Sequence, residues 1–169
     1  MERKVAMHGN PLVLEGPELK VGDKAPEFKV VDNNLSPVGL SDFKGKVVVL
    51  SSVPSLDTPV CDVETRRFNV EAGKLGPDVA VLTISMDLPF AQKRWCGAAG
   101  VSHVTTLSDH RDANFGFSYG VLIKDLRLLA RAVFVVDQDN TIRYIDLVSD
   151  ITNEPDYESC LKAVGNCLK

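Results

Sequence analysis

Four cysteines are dispersed through the 169 residues, at Cys61, Cys96, Cys160 and Cys167, and the first of them stands where a thiolate can be made. Thr58-Pro59 reads as a helix start, with Thr58 at the N-cap and Pro59 at the first helical position, where a missing N–H costs nothing. Cys61 then takes the third helical position, the place a capping box gives to Glu or Gln. Unpaired amides and the positive end of the helix dipole favour an anion there, and hence the nucleophilic form of the sulfur. Asp57, Asp62 and Glu64 crowd the same turn and each opposes a second anion. A reactive Cys61 therefore needs a cation from elsewhere, and Arg66, Arg67 and Arg131 are the candidates. The competing reading is an inert, buried cysteine that packs as a small hydrophobe.

The elements that position this turn follow from patterning. Val47 to Leu50 is a continuous apolar run between Gly45 and Pro54, the pattern of a central strand in a sheet covered on both faces. Lys4–Met7 and Leu12–Leu14 flank His8-Gly9-Asn10-Pro11 and predict an N-terminal hairpin, with His8 a solvated turn residue. Further strands are expected at Phe28–Val31, Val79–Ser85, Val101–Leu107, Leu126–Val136 and Thr141–Val148, the last two joined by a turn at 137–140. Val60, Val63, Phe68 and Ala72 give the first helix a rough apolar face. Leu88-Pro89 opens a second helix over 90–96, stopped by Gly97 and Gly100, with Cys96 near its end. Asn114–Gly120 is a short helix or compact loop. Pro155 opens a last helix in which Tyr157, Cys160, Leu161, Val164, Cys167 and Leu168 share a packing face. Cys160 and Cys167 are then about 10 Å apart, too far to bond to each other, and are read as structural. Alternating strands and helices with an early and a late hairpin predict an α/β fold, a mixed sheet flanked by helices.

Composition bounds the function. A chain of this length with 44% hydrophobic residues supports one domain over 1–169 with a sizeable core. A net charge of −4 gives no electrostatic footprint for nucleic acid. No apolar stretch approaches the length of a membrane span, and MERKVAMHGNPL lacks the apolar segment of a signal peptide, so a cytoplasmic protein is expected. Four cysteines are too few for a disulfide scaffold. With three dispersed His they give no ligand pair at zinc-finger spacing, so neither a metal nor a cofactor is expected.

Pro54, Thr58 and Cys61 match the Pro-x-x-x-Thr-x-x-Cys signature of peroxiredoxins. The wider segments SLDTPVCDVETRRFN and DLPFAQKRWCGAAG resemble the thiol peroxidase subfamily, as do KVAMHGNPLVLEG, VGDKAPEF and LLARAVFVVD. The resemblance covers nearly the whole chain. It implies a thioredoxin-like fold with an N-terminal β-hairpin, and an antioxidant peroxidase in which Cys61 attacks hydrogen peroxide or an alkyl or lipid hydroperoxide and becomes a sulfenic acid. Arg131, an arginine in an otherwise apolar strand, matches the subfamily's active-site arginine. Thr58 and Arg131 would hold the peroxide, and Pro54 would shield the sulfur. Cys96, 35 residues after Cys61, matches the resolving position. The resemblance thus implies an intrachain Cys61–Cys96 disulfide reopened by thioredoxin, and a homodimer. Trp95 and the Phe115-Phe117-Tyr119 cluster are candidates for an interface or a substrate collar, with no preference in the sequence between interface and core. Disulfide geometry requires the Cys61 turn, the Cys96 helix, or both, to unwind for that bond. Two alternatives use the same cysteines. A general disulfide oxidoreductase is disfavoured by the lack of a Cys-x-x-Cys motif, and a redox sensor would react without turning over.

Overall fold

The computed structural model describes residues 2–168. In chain order its strands are β1 (Arg3–Met7), β2 (Asn10–Glu15), β3 (Val30–Val31), β4 (Pro37–Val38), β5 (Val47–Ser52), β6 (Val79–Ser85), β7 (Thr105–Ser108), β8 (Leu122–Ile123), β9 (Leu128–Leu129), β10 (Ala132–Val136) and β11 (Ile142–Leu147). Its helices are α1 (Pro59–Leu75), α2 (Pro89–Ala99), α3 (Asn114–Ser118) and α4 (Tyr157–Cys167). Among the described residues no helix is long and apolar enough to cross a membrane.

Seven strands form a mixed sheet in the order β11-β10-β5-β6-β7-β3-β4. The β5, β6 and β7 strands run parallel, while β10 and β11 on one side and β3 and β4 on the other are antiparallel. This is the mixed α/β sheet that the patterning predicts and the thioredoxin-like arrangement that the resemblance implies. All six residues of β5 are buried, and the two-residue period of a strand divides them between two cores. Val47 and Val49 pack with Phe68 of α1 and with Cys160 and Val164 of α4. Val48 and Leu50 pack on the other face with Leu82, Ile84, Phe115 and Phe134.

The hairpin β1–β2 forms where expected, turning at His8 and Gly9, both with positive φ. It does not stand alone. Through β8 and β9 it grows into a second, four-stranded sheet, β1-β2-β8-β9, which covers the second core with Val5, Leu14, Leu122 and Ile123. That sheet corrects the reading of Leu126–Val136 as one strand. Leu128 and Leu129 pair with β8, Ala132 onward pairs with β5 and β11, and Ala130-Arg131 carries the chain from one sheet to the other.

Four smaller boundaries also move. Val101 to Val104 are not in a strand, because Asn69 of α1 accepts from the backbone N–H groups of His103 and Val104 and holds the segment aside. Only Val30 and Val31 of the third expected strand pair as β-structure. Helix α2 runs through Gly97 and stops at Gly100, whose φ of 69° gives a left-handed C-cap. Helix α4 starts after Asp156, which accepts from Ser159 N–H as the N-cap, so Pro155 lies before the cap rather than inside the helix.

Phe115 and Tyr119 are core residues, stacked at 4.4 Å and packed edge-on against Phe28 and Phe134. Phe117 is exposed. Cys160 is buried, and burial pushes its thiol up to about 12. Cys167 packs partly buried on the same cluster, in line with a structural reading of both.

Asp109, buried after β7, accepts from the backbone N–H groups of Phe115 and Gly116 at 2.9 and 2.8 Å. Burial nonetheless raises its carboxyl from 3.8 to about 6. Between these values the folded protein binds more protons than the unfolded chain, so this group's contribution to stability is lost as pH rises through the window. The Asp109→Asn variant is therefore expected to gain on the order of 2 kcal/mol relative to wild type between about pH 4 and pH 7, as read from urea unfolding at both pH values.

Candidate active site

Cys61 lies in the first turn of α1, fully buried, in a small cluster with Val53, Leu56 and the partly buried Trp95. The loop from β5 to α1 is tied down at several points. Val53 N–H donates to Ile84 O at 3.0 Å. The Asp87 carboxylate accepts from Ser55 Oγ at 2.7 Å, Leu56 N–H at 2.8 Å and Ser85 Oγ at 2.7 Å. Pro54 is buried within this loop.

Thr58 holds the N-cap position before Pro59, but its side chain does not cap the helix. Its hydroxyl donates instead to Ser55 O at 2.8 Å, tightening the loop, and the residue is exposed at the surface. A shallow surface depression, lined in part by Leu56, Asp57, Thr58 and Pro59, lies over this turn.

Of the three candidate cations, Arg131 is the one at the sulfur. Its Nη2 lies 3.3 Å from Cys61 Sγ, and only 2% of the residue is exposed. The same guanidinium donates through Nη1 to Glu64 Oε1 at 2.9 Å and through Nε to Ile151 O at 2.9 Å. Burial works against its charge, but its contacts with Cys61 and Glu64 more than offset this and raise the group above its ordinary value. Arg66 pairs with Asp62 at 3.0 Å. Arg67 pairs with Glu71 and lies over the Tyr157 ring.

Glu64 is more than one of three acids opposing an anion in this turn. It is fully buried, with one oxygen on Arg131 and the other accepting from Ser51 Oγ at 2.6 Å. Burial pushes its carboxyl up, against the pull of Arg131 and Ser51. The apolar face assigned to α1 needs correcting for the same reason. Val63 is half exposed, and the buried face is Cys61, Glu64, Thr65 and Phe68.

Comparison with known proteins places this geometry. The redoxin family profile matches residues 20–161. A thiol peroxidase from Halalkalibacterium halodurans is 58% identical over 164 residues, 97% of this chain and 98% of the relative. One from Bacillus subtilis is 55% identical over 166 residues, covering 98% and 99%. The chain belongs to the thiol peroxidases. Among solved structures, a peroxiredoxin-like protein from Aquifex aeolicus superposes with a TM-score of 0.92 at 45% identity, covering 98% of this chain and 97% of that one. A thiol peroxidase from Chromobacterium violaceum shares the fold at a TM-score of 0.87 and 22% identity, over the full length of both chains.

In this thiol peroxidase the structure does not bring Cys61 and Cys96 together. Both are free thiols, and Cys96 Sγ lies 3.3 Å from Thr106 Oγ1. Trp95, its neighbour, donates its indole N–H to Asp62 Oδ1 at 2.9 Å. Asp87 and Ser51 escape the sequence reading of the site, which has Glu64 only as an acid opposing the thiolate. For Glu64 a signal was available, because positions 61, 64, 65 and 68 fall on one helical face. Asp87 and Ser51 carry no local sequence signal, since their bonds to the β5–α1 loop and to Glu64 join residues distant in the chain.

The buried Glu64–Arg131 pair is expected to respond strongly to loss of one partner. Glu64→Ala leaves a buried guanidinium short of an anion and should cost about 3–5 kcal/mol. Glu64→Gln keeps acceptor and donor atoms in place and should cost less than half of that. Urea unfolding of the reduced proteins at neutral pH checks both values.

Proposed function

We propose that this chain reduces hydroperoxides through a two-cysteine cycle in which Cys61 is the peroxidatic and Cys96 the resolving residue. The contact between Arg131 Nη2 and Cys61 Sγ in a water-excluded site carries this reading. A guanidinium there stabilises negative charge on the sulfur and then on the oxygens of a bound peroxide, and it does so at full strength because little solvent screens it.

The thiolate attacks one peroxide oxygen. The S–O bond forms as the O–O bond breaks, and the departing hydroxide or alkoxide takes a proton to leave as water or alcohol. Arg131 and the Thr58 hydroxyl hold the peroxide in line, and Pro54 keeps water from the sulfur. The Cys96 sulfur then attacks Cys61 Sγ, forming the Cys61–Cys96 disulfide and expelling the second oxygen as water. A thioredoxin-type dithiol reopens it by thiol–disulfide exchange. Hydrogen peroxide and alkyl or lipid hydroperoxides are the substrate class, and the enzyme works as a cytoplasmic homodimer folded as one domain. These last assignments rest on the subfamily resemblance.

Peptide mapping after one equivalent of hydroperoxide, with free thiols alkylated, tests the cycle. The expected product is a dominant Cys61–Cys96 linkage with Cys160 and Cys167 alkylated, and an unmodified Cys61 would overturn the reading. Arg131→Lys supplies charge without the three-way fork, and should lower the second-order rate of Cys61 oxidation by about a hundredfold. Rapid mixing at a single turnover reads that rate.

A further inference from the structure

The residues beside the two cysteines hold each other. Asp62 follows Cys61, Trp95 precedes Cys96, and Trp95 Nε1 donates to Asp62 Oδ1 at 2.9 Å. Arg66 donates from Nε to the other Asp62 oxygen at 3.0 Å. Its guanidinium carbon lies 5.7 Å from the centre of the Trp95 ring, and its Nη1 is 3.5 Å from Ala99 O at the end of α2. The Trp95 ring also packs on the cluster that contains Cys61. One ring thus joins the first turn of α1 to the last turns of α2.

That arrangement points the two sulfurs apart. Successive side chains on a helix are about 100° apart around the axis, so with Trp95 directed at the Cys61 cluster, Cys96 is turned elsewhere. Its sulfur meets Thr106 Oγ1, whose own proton goes to Asn33 Oδ1 at 3.0 Å. Thr106 is left to accept from the Cys96 thiol. In this state the Cys96 sulfur is engaged as a hydrogen-bond donor rather than presented as a nucleophile.

We propose that Trp95, Asp62 and Arg66 form a clasp that must open before Cys96 can reach Cys61, and that the clasp sets the lifetime of the Cys61 sulfenic acid. This rests on the assignment of Cys61 and Cys96 made above. Once the clasp opens, the Cys96 sulfur attacks Cys61 Sγ. The S–S bond forms, the S–O bond breaks, and the hydroxide leaves with the thiol proton as water, so no further reductant is consumed. While the clasp holds, a second hydroperoxide can instead oxidise the sulfenic acid to the sulfinic acid. Trp95 and Asp62 are positioning residues, and their effect is on the partition between these fates.

Trp95→Phe keeps an aromatic ring in the cluster and removes only the indole donor. Asp62→Ala removes the acceptor and retains the protein's single tryptophan as a fluorescent reporter of opening. Rapid quench after stoichiometric hydrogen peroxide should follow two species separately, the sulfenic acid by a dimedone-type trap and the Cys61–Cys96 disulfide by mass spectrometry. Loss of one hydrogen bond to a charged acceptor predicts that disulfide formation, relative to sulfenic acid formation, speeds up about tenfold in both variants. The yield of sulfinic acid at high peroxide should fall by a similar factor. Disulfide formation that is unchanged or slower in both variants, with the denaturant midpoint of each showing a folded protein, would overturn the clasp. Wild-type Cys61 that forms no sulfenic acid, or that links to a thiol other than Cys96, would instead overturn the assignment on which it rests.

Discussion

A guanidinium buried among three partners is the constraint on which the rest of the site depends. Arg131 has its three donor groups committed in three directions, to Ile151 O, Glu64 Oε1 and Cys61 Sγ. A buried arginine without such partners would be too costly to keep, so the loop after β11, the inner face of α1 and the crossover between the sheets are placed relative to it. The break between β9 and β10 follows from the same requirement. Leu128-Leu129 belongs to one sheet and Ala132–Val136 to the other, and Arg131 occupies the step, where its side chain can run between layers instead of into either pleated face. A lysine carries its three donors on one nitrogen at the end of a flexible stem and could not reach acceptors set around three nitrogens of a planar fork.

The site is assembled from parts of unequal firmness. On the β5–α1 side, Asp87 gathers the Ser55, Leu56 and Ser85 donors, and Ser52 Oγ donates to Ala130 O at 2.8 Å. These bonds join the loop to β6 and to the sheet crossover, so the sulfur sits on a braced support. The α2 side depends on fewer attachments. Only Pro89 and Gln92 of α2 are buried, both in its first half, where Gln92 donates to Leu107 O and Ser85 Oγ. The second half, which carries Trp95 and Cys96, is held by side chains that are partly exposed. An element with a fixed beginning and a loosely held end is suited to local opening without loss of the sheet beneath it.

The parts of this site that were legible in the sequence are those decided within a few residues of chain. The apolar run of β5, the Thr58-Pro59 helix start and the placement of Cys61 in the first turn are local, and the fold shows each of them. The side-chain cap expected of Thr58 is not made, and its hydroxyl is turned back into the loop to donate to Ser55 O. What periodicity and propensity could not give were partnerships across the chain. Glu64 looked like one more acid in a crowded turn, and only the arrival of Arg131, 67 residues later, makes it a buried ion-pair partner. The sequence leaves Trp95 open between interface, collar and core, and its bond to Asp62 depends on how α1 and α2 pack. Arg131 is one of three candidate cations, and resemblance rather than patterning singles it out, since its residue type within an apolar run admits any buried anion as partner.

Cys61 and Cys160 show why burial alone does not decide the chemistry of a thiol. Both are essentially without solvent contact, at 0% and 1% exposure, and both lie on helices packed against the main sheet. Around Cys160 burial comes first, and the charges that act on it are the carboxylates of Asp146, Glu64 and Asp156; all disfavour a thiolate, and the group is pushed up to about 12. Cys61 has a guanidinium nitrogen at 3.3 Å and lies in the first turn of a helix, where the backbone dipole has the same sign as that cation. Glu64 serves both outcomes, as a carboxylate adding to the field against Cys160 and as the partner that holds Arg131 to Cys61. One buried ion pair thus gives two buried sulfurs opposite electrostatic surroundings, a cation beside one and carboxylates around the other.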